Sequence, residues 1–188
     1  MPKEDYVATE PATVKSTLLG ALRSAHFLLE ATMADVTDDI ANKPAAGTAN
    51  PIGSAYAHAV LAEDRAVQEM LQGQPPLFSS TWSGRTGTDR PTPFPDSPER
   101  SMGEWYRSVK VDVAGCRAYA EAVYAASEAF LAGADEAVLN RTMDMSFVGM
   151  GILPLATVFA VVVVGHLNNL TGEISAVKGM NGLKGYPF

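Results

Sequence analysis

The feature that most constrains the fold is a run of apolar residues that recur in alternating steps of four and three. The run reads Met102, Tyr106, Val109, Val113, Cys116, Ala120, Val123, Ser127 and Phe130. This spacing places every one of these side chains on the same side of an α-helix, as in the helices of a bundle. The pattern predicts one continuous helix, helix 3, which begins near Ser97 with Pro98 in its first turn and ends at Gly133.

Three further segments carry apolar residues at helical spacing and predict long helices. Helix 1 is predicted from Pro11 to Val36, helix 2 from Pro51 to Leu71, and helix 4 from Leu153 to Lys178. No segment shows the alternation of apolar and polar residues that is typical of a strand. The fold class is therefore predicted to be all-α.

The connections between these helices differ greatly in length. Gln74 to Ser97 is rich in proline and glycine, and a loop this long can cross over the bundle so that helix 3 runs parallel to helix 2. Part of this crossover is expected to pack down through its large apolar residues, which are Leu77, Phe78, Trp82 and Phe94. A short helix is predicted around Asp135 to Arg141, a loop from Met143 to Gly151, and an irregular tail after Lys178. The expected architecture is a four-helix bundle with a long crossover loop between helices 2 and 3, forming a single domain over residues 1–188.

The charge balance excludes some functions. The chain has 14 Lys and Arg against 21 Asp and Glu, a net charge of -7, so it lacks the basic surface that binding to nucleic acid or to an anionic membrane needs. The single cysteine, Cys116, and the absence of an apolar leader at the N-terminus predict a cytoplasmic protein. The apolar stretch from Ile152 to Val164 is too short to span a bilayer and predicts a buried helix.

The histidines are the residues that suggest chemistry. The chain has only 3, His26, His58 and His166, and each lies on or beside the apolar face of a different helix. One such histidine is most often a hydrogen-bonded core residue. Histidines that project from facing helices into a bundle interior can also bind a divalent metal, so both interpretations stay open.

Two stretches of sequence resemble the DinB/YfiT-like superfamily of metalloenzymes. In helix 2, residues 51–64 (PIGSAYAHAVLAED) place an acid, Glu63, five residues after His58, as the family does. Five residues are about 140° around a helix, so we expect Glu63 to face away from His58 and to pair with a lysine or arginine of another helix. In helix 4, residues 166–174 (HLNNLTGEI) resemble the family's last-helix signature of a histidine, a second histidine four residues later, and then Gly and Gln or Glu. The resemblance implies a four-helix bundle in which helix 4 runs parallel to helix 1. It also implies a divalent transition metal, zinc or nickel, in the bundle interior.

The family's metal ligands would correspond to His58, His166 and the position of Leu170. Leucine cannot bind a metal, so this chain departs from the family at the third ligand. His26 is the candidate replacement, because it and His166 lie at similar depths if helices 1 and 4 are parallel. Asn169, Leu170 and Glu173 are predicted to line the pocket, with Glu173 as a pocket acid rather than a ligand.

Two hypotheses about function follow, and a third is less specific. The first hypothesis is that the chain is a metal-dependent enzyme acting on small molecules, similar to the thiol S-transferases, isomerases or hydrolases of the family. Alternatively, it is a metal-free small-molecule-binding bundle that has lost the ion through Leu170. The third hypothesis is an interaction protein, for example a homodimer formed through an exposed apolar face.

Overall fold

A computed structural model describes residues 12–90 and 102–188, and it confirms the predicted all-α bundle. The α-helices in chain order are α1 (Val14–Met33), α2 (Asp38–Ala41), α3 (Ile52–Asp64), α4 (Met102–Ser108), α5 (Val113–Gly133), α6 (Glu136–Asn140), α7 (Leu155–Val158) and α8 (His166–Met180). Two π-helical segments continue or join these α-helices. Arg65–Leu71 continues α3, and Phe159–Gly165 joins α7 to α8 without a break.

The long helices form a ring in which α1 and α3 each pack against α5 and α8. Side-chain contacts show the relative directions of these helices. On α3, His58 meets His166 of α8, whereas Asn50, just before α3, meets Glu173 further along α8. Helices α3 and α8 are therefore antiparallel.

Helices α1 and α3 lie diagonally across the core and are antiparallel too. His26 meets Glu63, while Glu30, one turn later on α1, meets Tyr56, two turns earlier on α3. It follows that α8 runs parallel to α1, as the family resemblance implied.

Helix α5 is antiparallel to α1, since Arg23 pairs with Glu128 and Glu30 with Arg117. Helix α5 is therefore parallel to α3, and the predicted crossover between helices 2 and 3 is confirmed.

The prediction of one continuous helix 3 is wrong. Helix α4 ends at Ser108, and α5 begins at Val113 after its N-cap residue, Asp112, whose carboxylate accepts a hydrogen bond from the backbone N–H of Gly115. At the break, the Asn42 side chain bonds both the N–H and the carbonyl of Val111. These bonds satisfy the backbone groups that a continuous helix would have paired internally. The predicted start near Ser97 lies outside the described residues.

The crossover begins with a short 3-10 helix, Leu77–Ser79, held to the core by a buried carboxylate. Asp64 accepts hydrogen bonds from the backbone N–H groups of Leu77 and Phe78 and from the hydroxyl of Tyr119. Trp82 packs on Tyr119 with ring centroids 5.7 Å apart. The expectation that the loop packs down is confirmed here, whereas Phe94 is outside the described part of the chain.

A small hairpin replaces the loop that was predicted before helix 4. Strands β1 (Thr142–Asp144) and β2 (Ile152–Pro154) pair antiparallel, with Met143 opposite Leu153. Three residues per strand are too few to show alternation in a sequence. The predicted short helix is confirmed as α6.

The helical run Leu155–Met180 is long and apolar enough to cross a membrane, but 44% of its most apolar window is buried inside the protein. Its inward residues include Phe159, Leu167 and Ile174, all fully buried. The core helix of a bundle has the same length and composition, so this run is weak evidence for a membrane span.

Candidate functional site

Two histidines meet where α3 packs against α8. The Nε2 atoms of His58 and His166 lie 3.2 Å apart, and the two rings are nearly perpendicular, at 82°. His58 projects from the middle of α3, and His166 is the first residue of α8, directly after the π-helical segment. At this distance one imidazole can donate its Nε2 proton to the lone pair of the other.

Burial favours the uncharged form of both rings. It lowers the pKa of His58 to about 4, with the nearby charge of His166 as a second cause. It also lowers the pKa of His166. Both imidazoles are therefore neutral at pH 7, and the Nε2–H of one can donate to the Nε2 lone pair of the other.

Tyr106 contacts the histidine pair, and two further polar side chains meet farther along the contact between α3 and α8. The ring edge of Tyr106, on α4, meets His58 with centroids 5.2 Å apart. The pKa of Tyr106 is raised, first by burial and then by the negative charge of Glu173. The Asn50 side-chain amide donates a 2.9 Å hydrogen bond to Glu173 Oε1. We call these five residues the histidine-pair site: His58, His166, Tyr106, Glu173 and Asn50.

The other predicted pocket residues lie on the same helix with different exposure. Leu170 is buried one turn after His166, where the family resemblance put a third ligand. Glu173 is half-buried on the same side, whereas Asn169 is exposed to solvent. An aliphatic side chain thus occupies the position one turn after His166 on α8.

His26, the candidate replacement ligand, is engaged elsewhere. Its Nε2 lies 3.0 and 3.1 Å from the two carboxylate oxygens of Glu63, and its ring stacks on Tyr124 at a centroid distance of 3.7 Å. Both His26 and Glu63 are buried. Glu63 was expected to pair with a lysine or arginine from another helix, and that expectation is wrong because its partner is a histidine.

A divalent metal can be tested against this donor set. Two nitrogens bound to one tetrahedral zinc ion lie about 3.3 Å apart, which the separation of the two Nε2 atoms matches. A catalytic zinc normally has three protein ligands, however, and Leu170 offers none. Within residues 12–90 and 102–188, no group of three or more His, Cys, Asp or Glu side chains is arranged to hold a metal ion. The residues do not fit a complete catalytic metal site.

Cys116 is a packing residue. It is almost fully buried in the bundle core, and burial raises the pKa of its thiol. A reactive thiol needs the opposite setting, with solvent access and nearby positive charge.

Sequence reasoning missed Tyr106 and Asn50 as members of the site. Tyr106 belongs to the apolar repeat of helix 3 and was assigned to the core on that basis. Asn50 precedes a helix and carries no motif. The pairing of His26 with Glu63 was also missed, since it joins helices that lie diagonally across the bundle.

The fold and the site together define a class: a four-helix bundle with a crossover, carrying histidines on facing helices at one side of its core. A sequence model of the DinB superfamily matches residues 21–169. The chain belongs to the DinB superfamily. The matched range includes His26, His58 and His166 and ends one residue before Leu170.

A solved structure supports the same fold. The chain is similar to a conserved protein of Enterococcus faecalis, with a TM-score of 0.68 and 20% sequence identity, over 90% of this chain and 99% of that one. At this identity the likeness concerns the fold alone. No curated protein matches this sequence significantly.

Proposed function

We propose that this chain is a metal-free small-molecule-binding member of the superfamily and that its ligand binds at the histidine-pair site. The observation that carries the proposal is the direct contact between two neutral imidazoles, with Leu170 in place of a third ligand. Neutral imidazoles can each donate and accept hydrogen bonds, so the pair can rearrange to bind a polar group directly.

The surroundings suit a small ligand. Apolar surface with a few converging polar groups is the usual composition of such sites, and here Leu170 and the Tyr106 ring supply the apolar part. Both histidines and Glu173 are only partly buried, so the site borders solvent.

Metal analysis of the parent protein tests the proposal first. The protein is purified without a nickel column, and its transition metals are measured by mass spectrometry. We expect less than about a tenth of an equivalent of any such metal. A stoichiometric metal that is lost in His58→Ala would refute a metal-free site.

Restoring the third ligand gives a sharper test. In Leu170→His, a second histidine lies one turn after His166 on the same helix face. We expect its zinc affinity, measured by competition with a chromophoric chelator, to rise at least about tenfold over the parent. Asn169→His is the matched control, because it adds the same side chain at the neighbouring, exposed position. If Leu170→His gains no more affinity than this control, Leu170 is not what separates this chain from a metal site.

A second candidate function is a metal-dependent transferase or hydrolase. The spacing of the two Nε2 atoms favours it, because the pair is already placed for one tetrahedral ion. His26 would have to leave Glu63 to complete the ligand set. This candidate predicts that His26→Ala and His58→Ala weaken zinc binding to a similar extent, whereas the metal-free proposal predicts that His26→Ala leaves it unchanged.

A further inference from the structure

Glu173 lacks, within the described residues, the arginine partner that two other glutamates of the long helices have. Glu30 is paired with Arg117, and Glu128 with Arg23. Glu173 accepts one hydrogen bond, from the neutral amide of Asn50, and no lysine or arginine forms an ion pair with it across the described ranges. A half-buried carboxylate without a counterion is costly, and a bound cation would offset that cost.

The position of Glu173 makes this charge available to a ligand. It lies seven residues after His166, about 10 Å along the axis of α8. Both groups lie along the contact between α3 and α8, where His58 meets His166 and Asn50 meets Glu173, and the ring of Tyr106 adjoins His58. The three groups therefore form one elongated site rather than separate ones.

We propose that the histidine-pair site selects organic cations, meaning small molecules with an ammonium or guanidinium group at one end and a hydrogen-bonding group at the other. The cationic end pairs with Glu173 and lies against the Tyr106 ring, whose π-face attracts cations. The other end bonds to the two imidazoles. This inference rests on the proposed function and adds the charge class of the ligand to it.

Anionic ligands are disfavoured by the same geometry. A carboxylate or phosphate at this site would face Glu173 at close range, and the net charge of -7 would slow its approach. A neutral ligand would fit the imidazoles but would leave the charge of Glu173 uncompensated.

Three four-carbon probes separate charge from shape. Putrescine, 1,4-butanediol and succinate have similar lengths and carry positive, zero and negative charge. Binding is measured by calorimetry and by the side-chain NMR signals of the histidines. We expect putrescine to bind at least about tenfold more tightly than butanediol, since hydrogen bonds to charged groups are the stronger ones. Succinate should bind least.

Two variants test whether the preference for putrescine over butanediol depends on Glu173. Glu173→Gln keeps the side-chain size and should remove the preference for putrescine over butanediol. Glu128→Gln is the matched control, because Glu128 is a partly exposed glutamate on α5, outside the site, and it should leave the preference intact.

The outcomes distinguish this inference from the proposed function. If butanediol or succinate binds as tightly as putrescine and perturbs the histidine signals, the charge class is wrong but the site is a binding site. If the putrescine preference survives Glu173→Gln, the inference is overturned as well. If none of the three probes binds, the inference also fails, while the zinc measurements on Leu170→His still decide the proposed function.

Discussion

Replacing His26 with leucine tests whether this histidine stabilises the core or serves a site. His26→Leu would leave the carboxylate of Glu63, which is 2% exposed, without its partner. Removing one member of a buried, hydrogen-bonded charged or polar pair typically costs about 3–5 kcal/mol. The variant also loses the stacking of His26 on Tyr124. We expect the free energy of unfolding to fall by about 3 kcal/mol, a large share of the roughly 5–15 kcal/mol typical of a domain.

Urea denaturation followed by circular dichroism measures this loss. The double variant His26→Leu/Glu63→Leu is the essential companion, because it removes both polar groups and leaves an apolar contact. We expect it to recover most of the loss and to be about 2 kcal/mol more stable than His26→Leu. If His26→Leu should be too unstable to purify, the double variant still reports whether an apolar pair replaces the polar one.

Two results would refute this reasoning. The first is a His26→Leu variant within about 0.5 kcal/mol of the parent, the range of ordinary surface substitutions. The second is a Leu170→His/His26→Leu protein that binds zinc much more weakly than Leu170→His, which would make His26 a ligand.

Three other predictions follow from local geometry. Gly87 has a φ of 75°, and a Cβ there would lie 2.1 Å from the backbone N of Cys116, so Gly87→Ala should lower the free energy of unfolding by about 3 kcal/mol or more in denaturant titrations. The buried Cys116 thiol should react with a disulfide reagent only at the rate of unfolding, and fast labelling in the native protein would contradict its burial. The pKa of Asp35 is lowered, chiefly by its hydrogen bond from Lys178. This contact therefore stabilises the fold above about pH 4 and is lost as the pH falls through the lowered pKa. At pH 7 the free energy of unfolding of Asp35→Asn should be about 1 kcal/mol lower than that of the parent, and this difference should disappear in acid. A difference that does not depend on pH would exclude the ion pair as its cause.

The fold was predictable from sequence to the extent that each helix carries its own pattern. The apolar steps in helices 1, 2 and 4 indicated helices that the structure contains, and the long proline-rich connection indicated the crossover. Helix 3 was predicted as one piece because the apolar spacing passes through Val109 and Val113 unchanged. The break depends on Asp112 capping α5 and on Asn42 bonding Val111, and the second of these contacts is made across the fold.

The site was predictable only within each helix. Because Glu63 follows His58 by five residues, the two side chains were expected on different sides of the helix, and they are: His58 faces α8, while Glu63 faces α1. The partner of Glu63 and the membership of Tyr106 depend on how helices are rotated against one another. That rotation is set by packing over the whole core, which no local pattern of residues encodes.

The π-helical segment Phe159–Gly165 has a consequence for how members of this superfamily can diverge. A π-turn holds one residue more than an α-turn, so loss of a single residue here would turn all of α8 by about 100° relative to the rest of the bundle. His166 would then leave His58, and different side chains would take the positions of Leu170 and Glu173. The length of Phe159–Gly165 therefore determines which residues of α8 face the interior, although this segment contains none of those residues. A one-residue deletion there would change which side chains of α8 meet His58 without altering any of these residues.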